Sequence, residues 1–239
     1  MYKFAGLGHY GDQVFGREEQ VAATGFGLQP MRESDGFISY PFVRGTEGRP
    51  MSANDLSPRV LSRLAEYCVF RVRAFAVNLT DLNALRQMAE HNLHQLDLDA
   101  TVDLRLERPV IADGRMQPHE WLLMDDGRML KTDSGSHGDD HFFPGPTDIA
   151  WDLAGAIVEW RMNEQQAREF LDLYRRCSGD NASSRLAGFI RAYAVFRAAY
   201  CMMAANALRG SEEQARLDRA AASYQDLLLQ PLAQSHAAA

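Results

Sequence analysis

A chain of 239 residues, 46% hydrophobic and 24% charged, is long enough to bury a substantial core and too apolar for wholesale disorder. No apolar run of ~18 residues is present to span a bilayer, and the opening MYKFAGLGHYGDQ lacks the apolar block of a secretory signal, so the sequence predicts a cytoplasmic protein without membrane attachment. The net charge of −7 comes with no basic stripe, which demotes nucleic-acid binding.

Residues 1–50 are built of short elements punctuated by glycine, from Gly6 to Gly48. Helices are predicted over 54–98. Ser57 followed by Pro58 is a cap with proline in the first helical position, and Leu61, Leu64, Cys68, Val72 and Phe75 then recur at helical spacing. A second helix is predicted from Thr80, with Leu82, Leu85, Ala89, Leu93 and Leu96 on one face. Arg71 and Arg73 read as part of a solvated helix face.

The texture changes over 101–148, where Asp113-Gly114 and Asp126-Gly127 are hairpin-type turn signals. Leu122–Met124 and Met129–Lys131 flank the second and predict a small β-hairpin. A long polar loop, SGSHGDDHFFPGPT, follows, and loops of that length usually carry function or move. From Ile149 to about Leu232 the chain is again predicted helical. Ile149, Leu153, Ala156, Ile157 and Trp160 share a face, and Asn163 with Gln166 and Ser211 with Gln214 are capping boxes. Leu186, Phe189, Ile190, Tyr193, Tyr200 and Met203 form a long apolar stripe, and together with Phe196 and Met202 they read as core; the tail LAQSHAAA reads as frayed. Cys68, Cys177 and Cys201, odd in number and in apolar helical settings, read as buried reduced thiols.

Chemistry-bearing side chains are densest over 118–155: His119, Glu120, Asp125, Asp126, Asp133, His137, Asp139, Asp140, His141, Asp148 and Asp152, interleaved with Trp121, Phe142, Phe143 and Trp151. Carboxylates packed beside large aromatics are a usual setting for metal or proton chemistry. One reading is a transition-metal site drawn from His119, Asp133, His137, Asp139, Asp140 and His141, although HGDDH fits no standard zinc spacing. GLGHYG is neither a Walker loop nor a dinucleotide fingerprint, and no G-x-S-x-G elbow occurs.

The order of these elements resembles the catalytic half of aminoglycoside phosphotransferases and the wider protein-kinase-like fold: a histidine-led loop, a hairpin with Asp-Gly at its tip, an aspartate after its second strand, then TDIAWDLA opening a helix. The resemblance implies an α+β two-lobe fold, with a reduced N-terminal lobe and hinge at 1–50 and a mainly helical C-terminal lobe at 51–239. It implies a phosphotransferase using ATP and Mg²⁺ on a small-molecule acceptor. In that family a His-x-Asp loop supplies the catalytic base, the aspartate after the hairpin chelates Mg²⁺, and an aspartate of an Asp-Leu-Ala motif braces the catalytic loop. By the same resemblance His119 is the loop histidine, Asp133 the metal ligand and Asp148 or Asp152 the brace. Lys3 contacts nucleotide phosphates, Glu18 or Glu19 pairs with it, and residues 36–45 line the adenine as the hinge strand.

Two departures accompany the resemblance. Trp121 stands where the base aspartate is expected, leaving Glu120, Asp139 or Asp140 as substitutes, and no glycine-rich strand pair precedes Lys3 to cover the phosphates. The alternative is therefore a pseudokinase that binds nucleotide or serves as a scaffold for a protein partner.

Overall fold

A computed structural model describes residues 1–139, less the Asp139 side chain, and 143–229. The chain opens with strand β1 (Tyr2–Phe4), helix α1 (Gly8–Ala23) and strands β2 (Met31–Arg32) and β3 (Phe37–Ser39), and β3 lies between the other two in an antiparallel sheet. Lys3 sits opposite Ile38 in that sheet. Ala5, Val14, Phe15, Ile38 and Tyr40 form a small core between α1 and the sheet. Gly11 is dictated by close approach, because a Cβ there would collide with the Gly6 carbonyl. The expected hinge strand at 36–45 is shorter than predicted: β3 ends at Ser39, and Pro41, which has no N–H, cannot extend the ladder. Tyr40 and Met1 still exchange backbone hydrogen bonds in both directions, each 2.9 Å, before the two segments part.

Strand β4 (Gly48–Pro50) leaves this sheet and pairs with β6 (Trp121–Met124), which in turn pairs with β7 (Met129–Lys131). The β6–β7 hairpin turns at Asp126-Gly127 as predicted, with Gly127 at φ +83° and Asp126 accepting the Arg128 N–H at 2.9 Å. Asp113-Gly114, the other turn signal, joins no hairpin. The strand before it, β5 (Pro109–Val110), pairs with β8 (Thr147–Asp148), more than thirty residues on.

Helix α2 (Pro58–Ala74) begins as its sequence requires: Ser57 Oγ accepts the Val60 N–H and Pro58 occupies the first turn. Helix α3 (Asn83–Gln95) starts later than the Thr80 signal, and Asp81, not Thr80, accepts the free Asn83 N–H at 2.9 Å. Helices α4 (Ala150–Glu159), α5 (Glu164–Ser178), α6 (Leu186–Ala207) and α7 (Glu212–Leu229) complete the body. The Asn163/Gln166 capping box is present in both directions. Ser211 Oγ accepts the Gln214 N–H, while Gln214 reaches Gly210.

The large core gathers around Trp121, Trp151 and Trp160, all fully buried. Three sequence readings need correcting. Arg71 is fully buried, because its guanidinium finds carbonyls that the local helix pattern does not reveal. Cys177 is exposed, near the end of α5. Met202 and Met203 are also exposed, so the apolar stripe of α6 continues into solvent at its end. The expectation of a frayed tail falls on residues outside the described ones. Among the described residues no helix is long and apolar enough to cross a membrane.

Candidate active site

The polar centre lies where β1 and α1 meet β7, the segment that follows it, the turn at 113–114, and the start of α4. Asp133 follows β7 in a left-handed conformation, φ +54°, which is uncommon for a side-chain-bearing residue and tightens the chain out of the strand. One of its carboxylate oxygens pairs with the Lys3 ammonium, which also donates to Ser136 Oγ at 3.1 Å. The other lies 3.1 Å from His137 Nε2.

Burial, with help from the Arg115 and Lys131 charges, lowers the His137 pKa to about 4 against the opposing pull of Asp113 and Glu120. The ring is therefore neutral near pH 7. With its proton on Nε2 it donates to Asp133, and Nδ1 is buried without a hydrogen-bond partner among the described residues.

Glu18 points inward from α1 and accepts the Gly135 N–H at 2.7 Å and the Ser134 hydroxyl at 3.0 Å. It bears on Lys3 through its charge; burial lowers the Lys3 pKa, and Glu18 works against that shift. Glu19, the next residue and about 100° further round the helix, is exposed. Arg17, also buried, donates to the Gly135 carbonyl at 2.6 Å. A Cβ at Gly135 would come 2.8 Å from the Glu18 side chain, so this approach needs glycine.

Behind Asp133 lies a second cluster that the sequence reading missed. Lys131, the last residue of β7, is fully buried, and its ammonium meets Glu120 Oε2 at 2.9 Å, the Thr132 carbonyl at 2.8 Å and Asp113 Oδ1 at 3.3 Å. Burial alone would depress its pKa, but Asp113 and Glu120 reverse that and hold it above the ordinary lysine value. Asp113 also accepts the Tyr67 hydroxyl, and Arg71 lies 4.0 Å away while donating to the Ser134 and Ile111 carbonyls. A signal for Lys131 existed in the strand pattern: it stands opposite Trp121, so it shares an inward register with a core tryptophan.

The two brace candidates separate clearly. Asp152, in the first turn of α4, accepts the backbone N–H groups of Asp113 at 2.8 Å and Gly114 at 3.0 Å. Burial, and secondarily the Asp113 charge, raises its pKa to about 6. Asp148 binds elsewhere: it accepts from the N–H groups of Glu107, Arg108 and Ala150, and from Arg185 Nε at 3.0 Å. Asp148 thus ties β8 and α4 to the 107–108 segment, and Asp152 holds the 113–114 turn.

His119 is exposed on a short 3₁₀ turn, and Trp121 is buried in the core against Tyr67, their rings 5.2 Å apart. The Asp152 carboxylate bonds to the 113–114 backbone and not to either of them. Glu120 is committed to Lys131. Asp139 closes the turn His137–Asp139; its side chain, and all of Asp140, His141 and Phe142, lie outside the described residues. Arg115, two residues past Asp113, places its guanidinium over the Tyr200 ring, 5.4 Å from the centroid.

The resemblance implies Mg²⁺, which would need free carboxylate oxygens here. Asp113, Glu120 and one nitrogen of His137 approach within 4.8 Å of one another, a spacing that could converge on an ion. The Lys131 ammonium already stands between the two carboxylates, and Lys3 stands on Asp133. With Lys131 between its carboxylates, the group of Asp113, Glu120 and His137 does not fit a divalent cation.

No protein-family model matches the chain, and no curated protein does. Solved structures do match. A choline/ethanolamine kinase family protein from Mesorhizobium loti superposes with TM-score 0.63 at 16% identity, over 92% of this chain and 79% of that one. An ethanolamine kinase of Plasmodium vivax gives 0.57 at 7% identity, over 90% and 71%. LicA, the choline kinase of Streptococcus pneumoniae, in complex with AMP gives 0.50 at 14% identity, over 93% and 84%. The likeness is one of fold: α+β, as in choline/ethanolamine kinases, which share the protein-kinase-like fold with aminoglycoside phosphotransferases.

Proposed function

We propose that this chain binds an adenine nucleotide at the junction of β1, α1 and the 131–137 segment, and that its capacity for phosphoryl transfer is impaired. The observation that carries this reading is the bond pattern of Asp152. In the resembling family the Asp-Leu-Ala aspartate braces the catalytic loop, and here the carboxylate of that motif binds the backbone of Asp113 and Gly114. On this reading the catalytic loop is Asp113-Gly114-Arg115, displaced upstream of His119. Asp113 takes the place of the histidine, and Arg115 the place of the base. A guanidinium keeps its proton throughout the working pH range and cannot accept one from an acceptor hydroxyl.

On the same reading Lys3 is the residue that meets the nucleotide phosphates, with Glu18 behind it. Glu18, not Glu19, faces the site, and it acts on Lys3 through charge while its oxygens hold Ser134 and Gly135. Support for a nucleotide comes from the fold shared with LicA, whose structure holds AMP. The acceptor site of an active relative would sit near Arg115, where the cation already over Tyr200 argues against a second cation such as a quaternary ammonium.

Thermal shift and calorimetric titration of the full chain with ATP, ADP and AMP, alongside turnover assays with choline, ethanolamine and an aminoglycoside, test this directly. Measurable nucleotide stabilisation with turnover far below the ~1–100 s⁻¹ of working kinases is expected. Turnover in that range on any acceptor overturns the impaired reading, and absence of binding to all three nucleotides leaves only a scaffold.

A further inference from the structure

The Lys131 ammonium has three N–H groups and three acceptors: Glu120 Oε2 at 2.9 Å, the Thr132 carbonyl at 2.8 Å and Asp113 Oδ1 at 3.3 Å. None of its donors is left for a ligand. The backbone of the same residue is pinned on both sides, paired with Trp121 in the hairpin and donating to the Phe26 carbonyl at 2.6 Å, so the side chain has no strand movement by which to withdraw. It lies inside the one group of three ligating side chains that the described residues bring together, Asp113, Glu120 and His137. Mg²⁺ requires oxygen ligands at about 2.0–2.1 Å in near-octahedral array. An ion drawn to Asp113 and Glu120 would have to share the space that the ammonium fills, and two cations at that separation repel strongly wherever water is excluded.

We propose that Lys131 is a built-in counter-ion that takes the place of a divalent cation in this site, so that the chain binds nucleotide without Mg²⁺ and has no divalent-metal site at Asp113, Glu120 and His137. The first half of this statement rests on the nucleotide reading above; the second does not. The buried and unpartnered Nδ1 of His137 marks what the site would become without the lysine, because an imidazole and two carboxylates are a ligand set suited to Mn²⁺ or a similar ion.

Mn²⁺ titrated into the full-length wild-type chain, with bound ion counted by electron paramagnetic resonance, decides the metal claim without any nucleotide. No site filled at 1 mM (roughly the weak end of protein cation sites) is the expected result. A wild-type site abolished by Asp113→Asn or Glu120→Gln overturns the proposal. Lys131→Met should acquire one Mn²⁺ per chain and gain melting temperature on adding the ion; a folded variant that binds none also overturns it. Should that variant fail to fold, the wild-type titration still decides. A separate arm compares ATP stabilisation in EDTA with that in MgCl₂. Equal shifts are expected, and stabilisation seen only with Mg²⁺ overturns the Mg²⁺-independence. No shift in either condition defeats the nucleotide reading and leaves the Mn²⁺ result standing by itself.

Discussion

Two lysine–carboxylate groups sit within one site and behave as opposites. Lys131 is 0% exposed, between Asp113 at 0% and Glu120 at 11%, with every donor satisfied. Lys3 is 23% exposed and its partner Asp133 is 38% exposed, at the edge of the first sheet. The inner group cannot be opened without stranding charge in a dry interior, which fixes it as architecture. The outer one keeps water nearby and can exchange partners at small cost, so it is the part of the site able to meet a ligand.

Lys131→Met breaks the comparison hardest. Removing the lysine leaves Glu120 without its buried counter-ion and Asp113 with only Arg71, 4.0 Å away, at an expected cost of about 3–5 kcal/mol. Urea unfolding should show it as a large drop in midpoint. Next, Gly114→Ala strains the turn that presents N–H groups to Asp152. Gly114 stands at φ +82°, and a Cβ there would lie 3.2 Å from the His137 carbonyl, so a loss of roughly 1–2 kcal/mol is expected in the same assay.

The pH dependence sharpens the comparison further, because two groups of the inner region oppose each other. Asp152, raised to about 6 in the fold, binds protons there that the unfolded chain has released, so its contribution declines as pH rises from about 4 to 6. His137, lowered to about 4, does the reverse. It adds stability that is complete above its unfolded pKa and is lost as pH falls from about 6.5 to 4. Asp152→Asn should therefore steepen the rise of stability between pH 4 and 6, and His137→Asn should flatten it, each by a fraction of the ~1.4 kcal/mol per pH unit that one proton can contribute. Chemical denaturation repeated across that range checks both signs. The smallest effect belongs to the outer pair: Lys3→Met should cost no more than about 1 kcal/mol, with weaker ATP stabilisation as its main consequence.

How much of this was legible depended on the distance over which each signal acts. Ser57-Pro58, Asn163 with Gln166, and Asp126-Gly127 are local devices, and each does in the fold what its residues imply. Strands of two residues, such as Met31–Arg32, Pro109–Val110 and Thr147–Asp148, carry no period to read. Of the residues singled out for the site, Lys3 pairs with Asp133, Glu18 binds Ser134 and Gly135 just beyond it, and Asp152 holds the turn at Asp113 and Gly114. The register of the loop was not legible. Asp113 and Arg71 are held by partners tens of residues away, so a helix pattern read locally assigned Arg71 to solvent. Trp121 shows the same limit. At 0% exposure it is a core residue, and an aspartate there would disrupt the interior instead of restoring a base.

The contacts joining α1 and β1 to the rest span unusual stretches of chain: Lys3 meets a residue 130 positions on, and Glu18 and Arg17 meet Gly135 at separations of 117 and 118. Phe26 can pack on Tyr67 and Phe70 of α2 early, but Lys3, Arg17 and Glu18 cannot make those long-range bonds until the β6–β7 hairpin and the segment after it have been made, a wait on the order of ten seconds at ordinary elongation rates. Closing such loops costs entropy before any contact repays it. The first sheet, with Tyr2, Phe4 and Phe37 exposed even in the finished fold, keeps apolar surface in water throughout that interval.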